Sequence, residues 1–415
     1  MRSNFLICIL VFFAINVNFL FTQDISMNLS GVLDSTVNYA IGAGDAPRHS
    51  FGFEEYANLR LRIRAGEKVI FNTAFNLTVL SGNFLENAAV TGSYNPYPAF
   101  ASTPLVYGEN YAAALELERL YFRINGDYID TEAGLLRIPF GYGQVWGSSD
   151  FLNPRNPLFP NARLRGVLGA NFSFYPTDAL KLMVFAAAPK NPMETKGGGF
   201  IPGLSLDHHW NRASLQVLYA YESPKRFDET PGDVSQDSKG SSLGIHRFGL
   251  SLKADLVLGF AIDALYTLNP DDAAGIDGLS VGAGFDYNFF DGDLYILMEY
   301  LFNGASSSTA FGFGGSWINN HYLYGTALYR FDDYFNLSLS TVFCFDDLSF
   351  SPFVTLNYEL FQGFSLSLTA RLPMDQKTMN GGKVGELGPL PPGFNGNEVT
   401  RGSRFIINAG AKLRF

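Results

Sequence analysis

The sequence predicts an all-β fold, a transmembrane antiparallel β-barrel of about 18 strands within a range of about 14 to 18. Three observations carry this. The residues before the terminal Phe415 alternate without a break: Phe405, Ile407, Ala409, Ala411, Leu413 and Phe415 share one face of an extended strand, and Asn408, Gly410, Lys412 and Arg414 share the other with Ile406. The same two-sided pattern recurs in segments of roughly ten residues throughout the chain, the length of a tilted strand that crosses hydrocarbon. Finally, 47% of the residues are hydrophobic and 15% aromatic, yet beyond the leader no run of about 18 apolar residues could form a spanning helix. A membrane chain of this kind must cross by strands, because only a closed barrel then satisfies every backbone group in hydrocarbon.

The N-terminus, MRSNFLICILVFFAINVNFLFTQD, opens on Arg2, runs apolar from Phe5 to Phe21 and turns polar. We read residues 1–22 as a secretory signal peptide and 23–415 as the barrel. Asn16 and Asn18 interrupt the apolar run and argue against an anchor helix. Beyond the leader Cys344 is the only cysteine, which excludes an intramolecular disulfide and a cysteine-built metal centre. The formal net charge of −10 argues against nucleic acid as a partner.

Short connections with turn chemistry fall at 65–67, 125–127, 176–178, 211–212, 256–258, 290–293, 332–333 and 361–363. Between them lie polar or Gly/Pro-rich connections at 42–51, 82–109, 139–162, 188–203, 223–242, 269–277, 303–320 and 372–401, with a tight Asp346-Asp347 turn where another long loop is due. The alternation predicts short periplasmic turns, long outer loops and both chain ends on the short-turn side. A secreted sandwich or propeller would carry charge on its outward face; here the less apolar face holds Gly, Ser, Asn and Tyr, and Tyr287, Tyr300, Phe302, Tyr358 and Phe364 stand near strand ends, where interfacial girdles lie.

The first charged cluster lies on the second strand. Ala57, Leu59, Leu61 and Ile63 share one face, and Asn58, Arg60, Arg62 and Arg64 the other. Each arginine would cost roughly 2 to 4 kcal/mol facing lipid near the midplane, so the stripe faces the lumen. Glu116, Glu118, Arg123, Arg119 and Arg137 follow, and the shift of the apolar register from Leu115 and Leu117 to Leu120, Phe122 and Ile124 predicts a β-bulge at Glu118 or Arg119. Arg163, Arg165 and Lys181 add further lumenal basic groups, whereas the C-terminal strands offer Ser338, Ser340, Ser365, Ser367 and Thr369. Either the charges pair and brace the wall, with Glu116, Glu118, Asp130 and Glu132 as partners, or the arginines form a selectivity element that favours anions.

The stretch from Leu115 to Leu168 resembles a segment of bacterial outer-membrane porins and related channel-like barrels. A hairpin reading ERLYFRI is followed by a Gly-rich segment, then by Trp146, Gly147, Asp150, Asn153 and Pro154 in the order WG..D..NP, then by Arg165 and Gly166 opening the next strand. The resemblance implies a diffusion channel or substrate-preferring porin of the Gram-negative outer membrane, contacting lipid, passing small solutes and able to form homo-oligomers, with its third outer loop folded into the lumen. The composition of residues 139–162 agrees. Pro139, Pro154, Pro157 and Pro160 stiffen the loop, and Phe140, Val145, Trp146, Phe151, Leu152, Leu158 and Phe159 would be costly to leave in water. Trp146, Asp150, Asn153 and Arg155 are the predicted constriction residues, with Asp150 and Arg155 placed to meet lumenal arginines. An outer loop touching lipopolysaccharide or a neighbouring subunit is the alternative.

Other functions fit less well. A barrel enzyme needs His with Asp or Ser at the lumen rim, and Asp207-His208-His209 cannot share one site because strand neighbours point to opposite faces. No stretch is left for the plug of a TonB-dependent receptor. A fatty-acid-type transporter of hydrophobic compounds carries a plug segment before its first strand, whereas alternation here begins at Leu29. An adhesive or structural barrel would use loops 82–109 and 372–401. No cofactor is implied and no metal-ligand spacing appears. Phe415, a terminal aromatic on the lipid face, resembles the end signal read by the barrel-assembly machinery.

Overall fold

The computed structural model describes residues 25–42, 49–82, 102–108, 110–153, 155, 157, 166–188, 200–223, 244–269, 278–304, 317, 319–380, 385–387 and 403–415. The leader lies outside these residues. The wall begins with β1 (Ile25–Gly42), β2 (His49–Ala65) and β3 (Val69–Gly82). A short β4 (Ser102–Tyr107) precedes β5 (Tyr111–Asn125) and β6 (Ile129–Leu136). Then come β7 (Val167–Thr177), β8 (Leu180–Ala188), β9 (Ile201–Trp210), β10 (Ala213–Glu222), β11 (Ile245–Asp255) and β12 (Gly259–Leu268). The chain continues through β13 (Leu279–Phe289), β14 (Leu294–Asn303), β15 (His321–Arg330), β16 (Phe335–Cys344), β17 (Phe350–Phe361), β18 (Phe364–Arg371), the short helix α1 (Gln376–Asn380) and β19 (Ser403–Arg414).

Neighbouring strands pair antiparallel, and β19 returns to β1 from Arg414 opposite Val32 to Ser403 opposite Gly42. Eighteen strands thus close the barrel, leaving β4 paired to β5 alone. The predicted fold class holds, with one addition: β4 sits inside the 82–109 connection. Its sequence STPLVY is short, carries Pro104 and does not alternate, so nothing sets it apart from a loop. It pairs with the upper part of β5, from Glu116 to Ala112, beyond the stretch that β6 covers from Leu120 to Asn125.

Side-chain period 2 sorts the wall into two faces. Leu59, Phe75, Leu77 and Val184 are exposed toward the outside, whereas Asn58, Asn76 and Glu118 are buried on the inside, where Asn58 Nδ2 donates to Glu118 Oε2 at 2.9 Å. The β3–β5 register runs from Ala74 opposite Arg119 directly to Phe75 opposite Leu117, so Glu118 is the extra residue of a bulge, as the sequence predicts. The bulge turns both Glu118 and Arg119 inward while Leu117 and Leu120 remain outward. It is the device that adds two consecutive charged side chains to one lumenal face.

The seam between first and last strands depends on a close approach. Gly31 N donates to Phe415 O at 2.8 Å and Phe415 N to Gly31 O at 3.1 Å, and a Cβ on Gly31 would stand 2.5 Å from the Phe415 ring. A Gly31→Val substitution is therefore expected to displace the ring and destabilise closure by about 1 to 3 kcal/mol, as overpacking does. The readout is the temperature at which the folded band converts to the unfolded band in semi-native electrophoresis; an unchanged temperature would show that the ring is not part of the closure.

Candidate pore site: an inward loop and an arginine stripe

β6 leaves the wall at Leu136, and the segment that follows runs along the inward faces of β10 to β15. Six consecutive backbone N–H groups find acceptors there. Gly141 N donates to Gln216 Oε1 at 2.7 Å on β10. Tyr142 N and Gly143 N donate to the two carboxylate oxygens of Asp263 on β12, at 2.9 and 2.7 Å. Gln144 N and Val145 N donate to Glu299 Oε2 on β14, at 2.9 and 3.0 Å, and Trp146 N to Glu299 Oε1 at 2.8 Å. Hydrogen bonds to an ionised acceptor are each worth roughly 1.5 to 3 kcal/mol. The glycines permit the approach: Gly141 has φ +78, and a Cβ on it would fall 2.6 Å from Asp263 Oδ2, while one on Gly143 would fall 2.7 Å from the same oxygen.

Side chains fasten the same segment. Gln144 Nε2 donates to Asp286 Oδ1 at 3.0 Å and its Oε1 accepts from Tyr295 OH at 2.9 Å. Ser149 and Ser251 share a hydrogen bond at 3.0 Å. Leu136, Ile138, Phe140 and Leu152 pack against Val167, Met183, Phe185, Ala187, Ile201, Leu218 and Ala220 of the neighbouring wall, with Phe140 stacked on Phe151 at 5.6 Å between centroids. These wall positions alternate inward and would otherwise put apolar side chains in water.

The predicted constriction residues occupy the interior of this packing. Trp146 is fully buried against Trp317 and Tyr322, with its indole N–H donating to Glu299 O at 3.1 Å. Asp150 is buried beside Arg137, at 3.6 Å, and its Oδ1 accepts from Asn153 N at 3.2 Å. Asn153 is buried too and donates to Ile138 O at 2.9 Å. Arg155 grips the loop itself, donating to Gly143 O at 3.0 Å and to Gln144 O. Among the described residues, the expected contact with a lumenal arginine is made by Asp150, through Arg137.

Arg60, Arg62 and Arg64 line the inward face of β2 and are exposed to the lumen. In register across β3, Arg60 shares a row with Ala74 and Arg119, Arg62 with Asn72 and Tyr121, and Arg64 with Ile70 and Arg123. None of the three forms an ion pair among the described residues. Arg123 differs, reaching Asp130 at 2.8 Å and Glu132 at 3.6 Å, and so braces the wall. Glu116 and Glu118 accept from amides: Asn76 Nδ2 donates to Glu116 Oε2 at 3.3 Å and Asn58 Nδ2 to Glu118. Lys181 faces inward opposite Asp207 in register. Arg163 and Arg165 lie outside the described residues. On β15 to β18, Thr326 and Ser340 share a hydrogen bond at 2.7 Å and Thr355 and Thr369 one at 3.0 Å.

Sequence reasoning missed Gln216, Asp263 and Glu299. The signal was present in AIDALYTL and LMEYLF, where a single acid stands in an otherwise apolar or aromatic strand. It also missed a cluster at the far end of β16. Cys344, Asp347 and Glu386 bring possible ligand atoms within 4.8 Å of one another from two separate segments. Hydrogen bonds occupy this cluster: Asn319 Nδ2 donates to Asp347 and Glu386 at 2.9 Å each, Glu386 N donates to Asp347 at 2.7 Å, and Tyr322 OH donates to Glu386. It ties residues 385–387 to the wall beside Trp146. The Asp207-His208-His209 run divides as alternation requires, with His209 Nδ1 bonded to Ser214 Oγ at 2.8 Å inside and His208 edge-on to Trp210 outside.

Burial pushes the Asp150 carboxyl up to about 7, against the opposing pull of Asn153, Arg137 and Arg155. A raised value in the folded state means that Asp150 supports the docked loop fully at pH below the ordinary carboxylate range and that this support is lost as pH rises through about 7. Asp150→Asn is expected to flatten that step. Melting temperature measured against pH for both proteins checks it, and parallel profiles would contradict the assignment.

No family model and no curated protein sequence matches the chain. Its fold is shared with solved barrels at low sequence identity. OccAB4 of Acinetobacter baumannii superposes with a TM-score of 0.56 at 10% identity, covering 95% of this chain and 98% of that one. OccAB3 of the same organism gives 0.53 at 10% identity over 94% and 99%. The outer membrane protein OpdK of Pseudomonas aeruginosa gives 0.51 at 10% identity over 94% and 98%. In architecture the chain is similar to these barrels over nearly its whole length.

Proposed function

We propose that the protein is an outer-membrane channel for the passive diffusion of small hydrophilic solutes, with a preference for anions. The observation that carries the reading is the stripe of Arg60, Arg62 and Arg64, which forms no ion pair among the described residues and is exposed on the inner wall of an 18-strand barrel. A stripe of guanidinium groups raises the local anion concentration, and at physiological salt it acts over a Debye length of about 8 Å, so wall charge outweighs distant loop charge. Arg165 and Lys181 would extend the stripe. The loop at 139–162 is the element that narrows the lumen, and Arg123, Glu116 and Glu118 shape the wall around the stripe. The likeness to OpdK, an outer membrane protein, supports the location.

The polar lumen argues against a carrier of hydrophobic compounds. Apolar parts of the inner wall are covered, from β7 to β10 by the loop and around Leu301, Tyr322 and Val342 by Trp146 and Trp317; elsewhere on β15 to β18 the wall presents hydroxyl groups of Thr326, Thr355 and Thr369.

Replacement of Arg60, Arg62 and Arg64 by Gln, with reversal potential measured across a KCl gradient in a planar bilayer, tests the reading. The expected result is discrete conducting steps in both proteins and a shift toward cations in the variant. No conducting steps from the wild type would overturn the channel, and an unshifted potential would overturn the anion preference.

A further inference from the structure

One arrangement occurs three times on the outward face, at the end of the strands that carries the long connections. A tyrosine hydroxyl is hydrogen-bonded to Nδ1 of the histidine that opens or nearly opens the next strand: Tyr39 with His49 at 2.7 Å across β1 and β2, Tyr219 with His246 at 2.9 Å across β10 and β11, and Tyr300 with His321 at 2.6 Å across β14 and β15. The register is the same each time, the histidine standing opposite the residue two places after the tyrosine: Ile41, Tyr221 and Phe302. Three separate hairpins have thus arrived at one diagonal pair.

Aromatic rings flank the imidazoles. His246 lies 5.0 Å from the Tyr221 ring, and His321 lies 5.4 Å from that of Phe302. Toward the middle of β10, β11, β14 and β15 the outward side chains are apolar, as with Val217, Leu250 and Leu252, exposed as a lipid-facing belt requires, whereas β1 and β2 carry the hydrogen-bonded Ser35 and Glu55 on that face. The pairs therefore stand where the belt ends and headgroups begin. Among the described residues, the outward positions at this end of the strands hold no lysine or arginine. Among those described outward positions, the histidines can offer a phosphate a strong N–H donor. With the phenol donating to Nδ1, the ring proton resides on Nε2, on the side of the imidazole away from the tyrosine.

We propose that Tyr219–His246 and Tyr300–His321 are binding sites for the phosphate headgroup of a membrane lipid, with Tyr39–His49 repeating the geometry on the taller β1–β2 wall. The tyrosine fixes the imidazole tautomer and orientation, and Nε2–H donates to a phosphate oxygen. The inference rests on the barrel's spanning a membrane and is independent of what crosses its lumen.

The full chain, reconstituted in nanodiscs of phosphatidylcholine with a minority of phosphatidic acid, tests it, with retained lipid identified by native mass spectrometry. The wild type is expected to retain phosphatidic acid several-fold above its share of the bilayer. His246→Phe with His321→Phe keeps the aromatic area and removes the donors, and is expected to lose the enrichment. Tyr219→Phe with Tyr300→Phe leaves the imidazoles unheld and is expected to reduce it. A wild type without enrichment, or a histidine variant that assembles and enriches the phospholipid as the wild type does, would overturn the proposal; should the histidine variant not assemble, undiminished enrichment in the tyrosine variant would do so.

Discussion

The interior of this barrel depends on the need of backbone N–H groups for acceptors. A loop that enters the lumen brings along a row of donors that water can no longer fully serve, and each one left unpaired when buried costs as much as a lost hydrogen bond. Here the row from Gly141 to Trp146 is met by Gln216, Asp263 and Glu299 alone, with two carboxylates accepting five of the six bonds. The loop cannot shift without several of these bonds breaking together. Gly141 and Gly143 follow from the same need, because a side chain at either would strike the Asp263 carboxylate.

This attachment also shapes the charge of the lumen. Asp263 and Glu299, the acids of the β12–β14 wall, are consumed by the loop, and Asp286 is engaged by Gln144. On the other side Asp130 and Glu132 are taken by Arg123, and Glu116 and Glu118 by asparagines. Among the described residues, Arg60, Arg62 and Arg64 form no ion pair. The overall acidity of the chain therefore says little about the field inside it, since a net charge of −10 coexists with a basic stripe on the inner wall. Local pairing, more than composition, decides which sign a passing solute meets.

Much of the fold was legible because period-2 alternation is imposed by lipid on one face and water on the other. The arginine face of β2 and the bulge at Glu118 could both be read from where the apolar residues fall. The loop was conspicuous by its prolines and apolar side chains, but its attachment was not. Glu299 lies far from Trp146 in sequence, and only the closure of the sheet brings them together. Arg155 and Asp150 were legible as charged loop residues; their roles, gripping loop carbonyls and sitting buried beside Arg137, depend on how the loop folds back on itself. The histidines went unread for a similar reason: each pairs with a tyrosine on the preceding strand, across a connection whose length hides the recurrence.

The central claim is that the loop is held fixed in the lumen by the two wall carboxylates. Single-channel recording of a variant carrying Asp263→Asn and Glu299→Gln tests it most directly, since each amide keeps the shape of the acid but loses one acceptor oxygen and the charge. The account expects the folded variant to conduct more than the wild type, with larger current fluctuations as the loop leaves the wall. A variant that folds normally and conducts with the wild-type amplitude and noise would contradict it.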